Sequence, residues 1–186
     1  MTGLAGSGKS ALSRELARAL GAAVLDKDAM VTPLTELVLS AHGEDPQQRE
    51  SSTFYLERVF PAEYRGLMAV AADSLRVGTP VVIDAPFFAY LADPDYLSRA
   101  QQEAGWPTTV HTVVLWLSAP PEVLRSRMRE RSLARDRWKL DNWDAYWREA
   151  ATMTCTWRGA TVIEVNSAAQ PPGRVPLAVL EAVRRV

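Results

Sequence analysis

TGLAGSGKSAL, residues 2–12, holds Gly3-Leu4-Ala5-Gly6-Ser7-Gly8-Lys9-Ser10, which satisfies G-x-x-x-x-G-K-[ST] without a mismatch. Residues lacking a Cβ let a backbone curl until several N–H groups face one anion, and a helix starting near Lys9 adds its positive end. Gly3, Gly6, Ser7 and Gly8 are therefore candidates to cradle phosphate. Lys9 would place an ammonium on the outer phosphates of a nucleotide, and the Ser10 hydroxyl can ligand Mg²⁺. The competing reading is a glycine-rich turn that opens a helix by chance. A loop of this kind is fed by a buried central strand, yet only Met1 and Thr2 precede it. Removing the middle of a parallel sheet leaves buried backbone groups unpaired, at about 1–3 kcal/mol each. The expectation is a truncated first strand with its natural start upstream of Met1; the alternative is that a stub suffices.

Outward from the loop, residues 10–20 carry apolar side chains at 12, 16, 19 and 20, a helical spacing closed by Gly21. Residues 22–25 (AAVL) and 80–83 (PVVI) are short apolar runs that stop at Asp26 and Asp84, as buried strands do. Residues 110–117 (VHTVVLWL) and 160–165 (ATVIEV) complete the strands, the first bounded by Pro120-Pro121 and the second by Asn166. Helices are predicted over 33–41, 47–60, 61–77, 95–104, 122–131, 143–153 and 176–185. Strands alternating with helices mean a parallel sheet covered on both faces, with ligands at the carboxyl ends of the strands. Residues 3–10, Asp26, Asp28, Asp84 and Asn166 should then be neighbours. Trp116 is assigned to the core, and Trp138, Trp143 and Trp147 to one inward helical face. His42 and His111 offer no partner constellation.

Composition narrows the function classes. The 186 residues are 47% hydrophobic and 23% charged with a formal net charge of −1, a soluble globular balance with no electrostatic signature of nucleic acid or anionic membrane. One domain over 1–186 is expected, as monomer or homodimer. The single cysteine, Cys155, excludes an internal disulfide and a Cys-only zinc site and suits a reducing cytoplasm. No apolar run approaches the length of a membrane span.

Three further elements bear on chemistry. Asp84, at a strand end, matches the Walker B arrangement of a carboxylate near a metal; a turn-forming Asp is the plainer alternative. In "LDKDAM", residues 25–30, Asp26 and Asp28 are two apart and point the same way if the segment is extended. Asp28 is then the candidate general base and Asp26 a metal or structural partner, unless both are solvated. Residues 125–137 (RSRMRERSLARDR) hold six arginines. On a helix Arg127 and Arg131 share one face and Arg125 and Arg129 another. Guanidinium forks fit phosphate oxygens, so an arginine-rich lid over about 125–140, with Arg127, Arg131 and Arg135 as catalytic candidates, is one reading. A solvated helix pairing with Glu130 and Asp136 is the other.

The order of these elements (phosphate loop, "DKD" after strand two, "VVIDAPF" at strand three, arginines after "VVLWLSAPPEVL") resembles the small bacterial P-loop kinases. The group that includes chloramphenicol-phosphotransferase-like, gluconate-kinase-like and polynucleotide 5′-kinase-like proteins is the one it is most similar to. The resemblance implies a three-layer α/β P-loop NTPase fold, nucleoside-monophosphate-kinase-like, with a five-stranded parallel sheet of order 2-3-1-4-5. It implies ATP with Mg²⁺ as donor. It places Asp28 at the base position, has Arg127 and Arg131 reach the nucleotide, and lines the adenine pocket with the loop after the last strand, Asn166, Ser167 and Ala168. Polynucleotide kinases tend to carry D-x-T-N where this chain has Asp84-Ala85-Pro86-Phe87, a departure that speaks against a nucleic-acid substrate.

Acceptor specificity would come from helices over about 29–60 and from 87–96. Phe54, Tyr55, Phe87, Phe88 and Tyr90 are candidate walls, with core packing as the alternative, and Arg49, Glu57 and Arg58 candidate polar contacts. The leading function is a kinase that phosphorylates a hydroxyl on a metabolite, nucleoside or antibiotic. A polynucleotide 5′-hydroxyl kinase and a nucleotide-binding regulatory or toxin-like NTPase switch are the alternatives.

Overall fold

The computed structural model of the chain describes residues 1–133, 136–169 and 174–185. In chain order its elements are β1 (Thr2–Gly3), α1 (Lys9–Leu20), β2 (Ala23–Asp26), α2 (Lys27–Ala41), α3 (Phe60–Arg76), β3 (Val81–Asp84), α4 (Tyr96–Ala104), β4 (Thr112–Ser118), α5 (Pro121–Arg131), α6 (Arg137–Asp141), α7 (Trp143–Ala150), β5 (Ala160–Asn166) and α8 (Leu177–Arg184). Every strand pairing is parallel, as alternation with helices requires. Side chains from both faces of β4 are buried: Val114 joins one core while Leu115 and Leu117 join the other. That is why its sequence reads as a continuous apolar run. Leu12, Leu16 and Ala17 of α1 and Val179 of α8 cover one face. Tyr64, Leu67 and Ala71 of α3 and Leu97 of α4 cover the other. A third cluster, Leu4, Leu124, Met128, Trp143, Tyr146 and Ala150, packs α5 and α7 against the phosphate loop.

The five-stranded sheet of order 2-3-1-4-5 does not form. The strands make a three-stranded sheet, β1-β4-β5, and a separate pair, β2-β3. The length of β1 is the reason. Its two residues pair with Trp116 and Leu117 of β4. Toward β3 the hydrogen bonds among the described residues are Met1 N donating to Ile83 O (2.8 Å), Ala85 N donating to Met1 O (3.4 Å), and Thr2 Oγ1 donating to Pro86 O in the segment just after β3. Further back along the strands, a cavity of about 330 Å³ lies between β3 and β4, lined by Val81, Val82, Val113 and Leu115 among others. Two residues cannot bridge strands of four and seven, so the ladder is interrupted there.

Three local expectations are also corrected. The helix predicted over 33–41 begins at Lys27, with Asp26 capping it by accepting from Ala29 N at 3.2 Å, and Pro33 lies inside it. An interior proline lacks the N–H that would reach one turn back and crowds the carbonyl there, a local cost that packing can override. The helix predicted over 47–60 is a 3₁₀ turn, Pro46–Ser51, then a π-helical turn, Tyr55–Val59, leading into α3. Trp138 does not share an inward face with Trp143 and Trp147. Asn142, at φ −116° and ψ 40°, separates α6 from α7 and leaves Trp138 58% exposed. Trp116 is half-buried against the core. Among the described residues no helix is long and apolar enough to cross a membrane.

An aromatic cluster sets the segment after β3. Phe87 has φ 56°, a left-handed conformation that is rare for a bulky side chain. Its N–H donates to the buried Tyr64 hydroxyl at 3.1 Å, and its ring contacts Tyr64 and Trp157 at 5.0 and 5.1 Å between centroids. Tyr64→Phe removes one oxygen and leaves that N–H without its partner. The variant is expected to lose about 1–3 kcal/mol, read as a lower urea midpoint at unchanged slope. A loss below about 0.5 kcal/mol, well under the cost of an orphaned buried donor, would show that the bond does not hold the turn.

Candidate active site

The loop between β1 and α1 takes its shape from positions where a side chain does not fit. Gly3 sits at φ 137°, and a Cβ there would lie 2.3 Å from Leu117 O on β4. At Gly6 (φ 79°) a Cβ would come within 2.8 Å of Leu124 O on α5. The sheet therefore demands the first glycine and the neighbouring helix the second. Gly8 caps α1 in the left-handed region with open space around it, so its reason is conformational alone. Lys9 Nζ donates to Gly3 O at 2.7 Å and Leu4 O at 2.9 Å, which lays the ammonium across the loop. Ser7 is fully buried, and its hydroxyl has no hydrogen-bond partner among the described residues.

Asp26 and Asp84 lie side by side because β2 and β3 run parallel with these two residues in register at their carboxyl ends. Ser10, in the first turn of α1, hydrogen-bonds the Asp84 carboxylate. Asp84 is 5% exposed. Burial pushes its carboxyl above the ordinary carboxylate range; the Ser10 bond and the Lys9 ammonium pull it back, and Asp26 pushes it up again. One hydroxyl and two carboxylates thus converge, the hard-oxygen donor set that suits Mg²⁺. Asp26 has other duties: it caps α2 and lies 3.9 Å from Arg14 Nη2. Among the described residues no group of three or more His, Cys, Asp or Glu side chains could form a metal cage.

Asp28 does not adopt the extended geometry that its spacing suggested. The segment after Asp26 is helical, so Asp28 stands in the first turn of α2 and does not share an extended strand with Asp26. Its side chain is 38% exposed, and Lys27 Nζ lies 3.6 Å from its Oδ1.

The arginines divide. Arg127 donates to Ser167 Oγ (3.0 Å), Ser167 O (3.1 Å) and, at longer range, Gly6 O (3.5 Å). It thereby ties α5, the phosphate loop and the segment after β5 together. Ser167 N also donates to Ser118 O (2.8 Å), and Asn166 Oδ1 accepts from Ala168 N (2.9 Å), so that segment is a fixed turn. Arg131 is bidentate to Asp136, with Nε and Nη2 at 2.6 and 2.8 Å from its two oxygens, and Asp136 is 1% exposed. Arg125 lies 5.3 Å over the Trp143 ring. Glu130 accepts from Ser126, at 2.8 Å. Arg135 lies outside the described residues.

Several candidate acceptor-site residues are core. Tyr55 and Phe87 are buried, and Tyr90 stacks on Tyr96 at 4.1 Å. His42 stacks on Phe54 at 3.8 Å with its Nδ1 3.4 Å from Glu44. The sequence reading passed over Glu63 altogether: 6% exposed, it accepts from Lys27, Thr35 and Tyr55. Its one sequence signal is position, since Glu63 falls on the same helical face as Leu67 and Ala71.

A family model for an AAA domain, AAA_33, matches residues 1–151. The chain belongs to that family. Among solved structures, a sugar kinase from Janibacter sp. HTCC2649 is similar with a TM-score of 0.61 at 18% identity, over 99% of this chain and 90% of that one. A gluconokinase from Sinorhizobium meliloti 1021 is similar at 0.52 and 19%, over 99% and 89%. TT1252 from Thermus thermophilus is similar at 0.50 and 22%, over 99% and 92%. These likenesses establish a kinase-like P-loop α/β fold. No curated protein matches the sequence.

Asp84 yields a prediction of sign. Its folded-state pKa is raised, so the native state holds the proton more tightly, and stability falls as pH rises from the ordinary carboxylate range through the raised value. Asp84→Asn is expected to melt above the parent at pH 7, the gap closing below about pH 4, where an ordinary Asp is also protonated. A variant that melts lower than the parent at pH 7 would contradict it.

Proposed function

We propose that this protein is an ATP-dependent phosphotransferase that moves the γ-phosphate of ATP·Mg²⁺ to a hydroxyl group of a small molecule. The observation that carries this reading is the convergence, at the carboxyl ends of parallel strands, of the glycine loop and the Ser10–Asp84–Asp26 oxygen set, with Asp28 following two residues after Asp26 in the first turn of α2. Gly3, Gly6, Ser7 and Gly8 shape the loop that cradles phosphates, and Lys9 moves from the Gly3 and Leu4 carbonyls onto them. Ser10, Asp84 and Asp26 would hold Mg²⁺, which when bound neutralises charge on the transferring group. Asp28 orients the acceptor hydroxyl and accepts its proton at a carboxylate oxygen.

Arg127, with Asn166 and Ser167, borders the nucleotide. Arg131 and Arg135 belong to a lid over about 125–140 that excludes water from the reaction. The acceptor region, about 29–60, meets that lid where Lys139 Nζ lies 3.5 Å from Glu50 Oε1. All of this lies within a single kinase domain over 1–186, acting in the cytoplasm on a small metabolite; the net charge of −1 disfavours a polyanionic acceptor.

The test incubates the protein with γ-labelled ATP, Mg²⁺ and a small-molecule cell extract, beside Asp28→Asn. Label is expected in a new product, with transfer falling about 10²–10⁴-fold in the variant and ATP affinity largely kept. Label released only as inorganic phosphate, equally from both proteins, would replace the phosphotransferase with an NTPase switch.

A further inference from the structure

Next to Asp28 sits a buried cation for which phosphate binding and metal binding give no role. Lys27 opens α2 and is 4% exposed. Its Nζ donates to Glu63 Oε2 at 2.8 Å, lies 3.6 Å from Asp28 Oδ1, and stands 5.5 Å over the Tyr64 ring. Glu63 is held in turn: Thr35 Oγ1 donates to its Oε1 at 2.6 Å and Tyr55 OH to its Oε2 at 3.2 Å. These four side chains come from α2, the π-helical turn and α3, and Lys27, Thr35, Tyr55 and Glu63 are all buried.

Three properties of this network matter together. Glu63 has both oxygens engaged, so it is not available to a substrate and serves to fix Lys27. Consecutive residues on a helix do not normally face each other; Lys27 meets Asp28 because Glu63 draws its long side chain inward past the Asp28 carboxylate. A buried ion pair is weak evidence for stability, since apolar groups of like volume often serve as well. A fixed ammonium shielded from solvent, by contrast, acts on the part-exposed carboxylate beside it with less screening than a pair open to water on both sides.

We propose that Lys27 is a positioning residue for Asp28: clamped by Glu63, Thr35 and Tyr55, its ammonium holds Oδ1 of Asp28 and sets the direction from which that carboxylate meets an acceptor hydroxyl. The proposal rests on the reading of Asp28 as the base. It assigns the Lys27–Glu63 pair to catalytic geometry and predicts that Lys27 matters only while Asp28 is present.

A double-mutant cycle tests this in the full chain, using label transfer from γ-labelled ATP into the small-molecule extract at varied Mg·ATP. Lys27→Met is expected to lower the limiting rate about 10–10²-fold, the scale of a misaligned reacting group, at unchanged KM for Mg·ATP. In the Asp28→Asn background the same change is expected to cost less than about twofold, because residues that act as one unit are not additive. Lys27→Met alone strands the Glu63 charge in the core, so Lys27→Met/Glu63→Gln is measured beside it. That pair is expected to regain the parent's melting temperature without regaining its rate. Additive losses in the Asp28→Asn background would overturn the proposal, as would a Lys27→Met/Glu63→Gln protein that recovers rate and stability together. An Asp28→Asn protein as active as the parent would instead remove the base itself, and the positioning role with it.

Discussion

Two residues, Thr2 and Gly3, couple the phosphate loop to the sheet, and the geometry of the candidate site depends on that coupling. Their pairing with Trp116 and Leu117 fixes the level at which the loop leaves the strand. The closeness of Gly3 to Leu117 O forbids a side chain there. On the other side, a few bonds from Met1 and Thr2 reach Ile83, Ala85 and Pro86, the segment that carries Asp84. The loop and the acid are therefore set relative to each other through a short seam. The short β1 splits the strands into sheets of three and two while leaving their carboxyl ends together.

At those ends the electrostatics oppose stability. Asp84 is buried beside a second carboxylate, with the Ser10 hydroxyl, the Lys9 ammonium and the Met1 amino group in partial compensation. A fold optimised for stability alone would not bury Asp84 in register with a second acid, where desolvation and that neighbour both disfavour its ionisation. Strain at Phe87 belongs to the same pattern: a left-handed phenylalanine three residues after Asp84 is held by Tyr64 and an aromatic core. Unfavourable local terms gathered in one place, with packing around them to hold them, are what functional sites tend to show.

The arginine-rich segment shows how charge density in a sequence resolves into distinct jobs. Arg127 braces the segment after β5 against the phosphate loop, Arg131 clasps the buried Asp136, and Arg125 covers Trp143. Each side chain is committed by a neighbour that is distant in sequence or hidden in a turn. Helical spacing correctly placed Arg127 and Arg131 on one face but carried no information about which partner each would meet.

The local sequence determined what local physics controls. The phosphate loop was legible because glycines at 3, 6 and 8 with lysine and serine at 9 and 10 leave few other conformations or uses. The strand β4 was legible because burial on both of its faces demands a continuous apolar run, and Asp26 and Asp84 because each ends a short apolar strand. Tertiary structure decided whatever depends on pairing at a distance. Strand connectivity followed from how many residues β1 can present to its neighbours. Asp28 entered a helix because Asp26 caps it, although Pro33 argued for a later start. The Lys27–Glu63–Thr35–Tyr55 network had no sequence signature, since residues 8 to 36 apart meet only when α2, the π-helical turn and α3 close on one another. Periodicity says which face of an element is buried; only packing says which buried polar groups find each other.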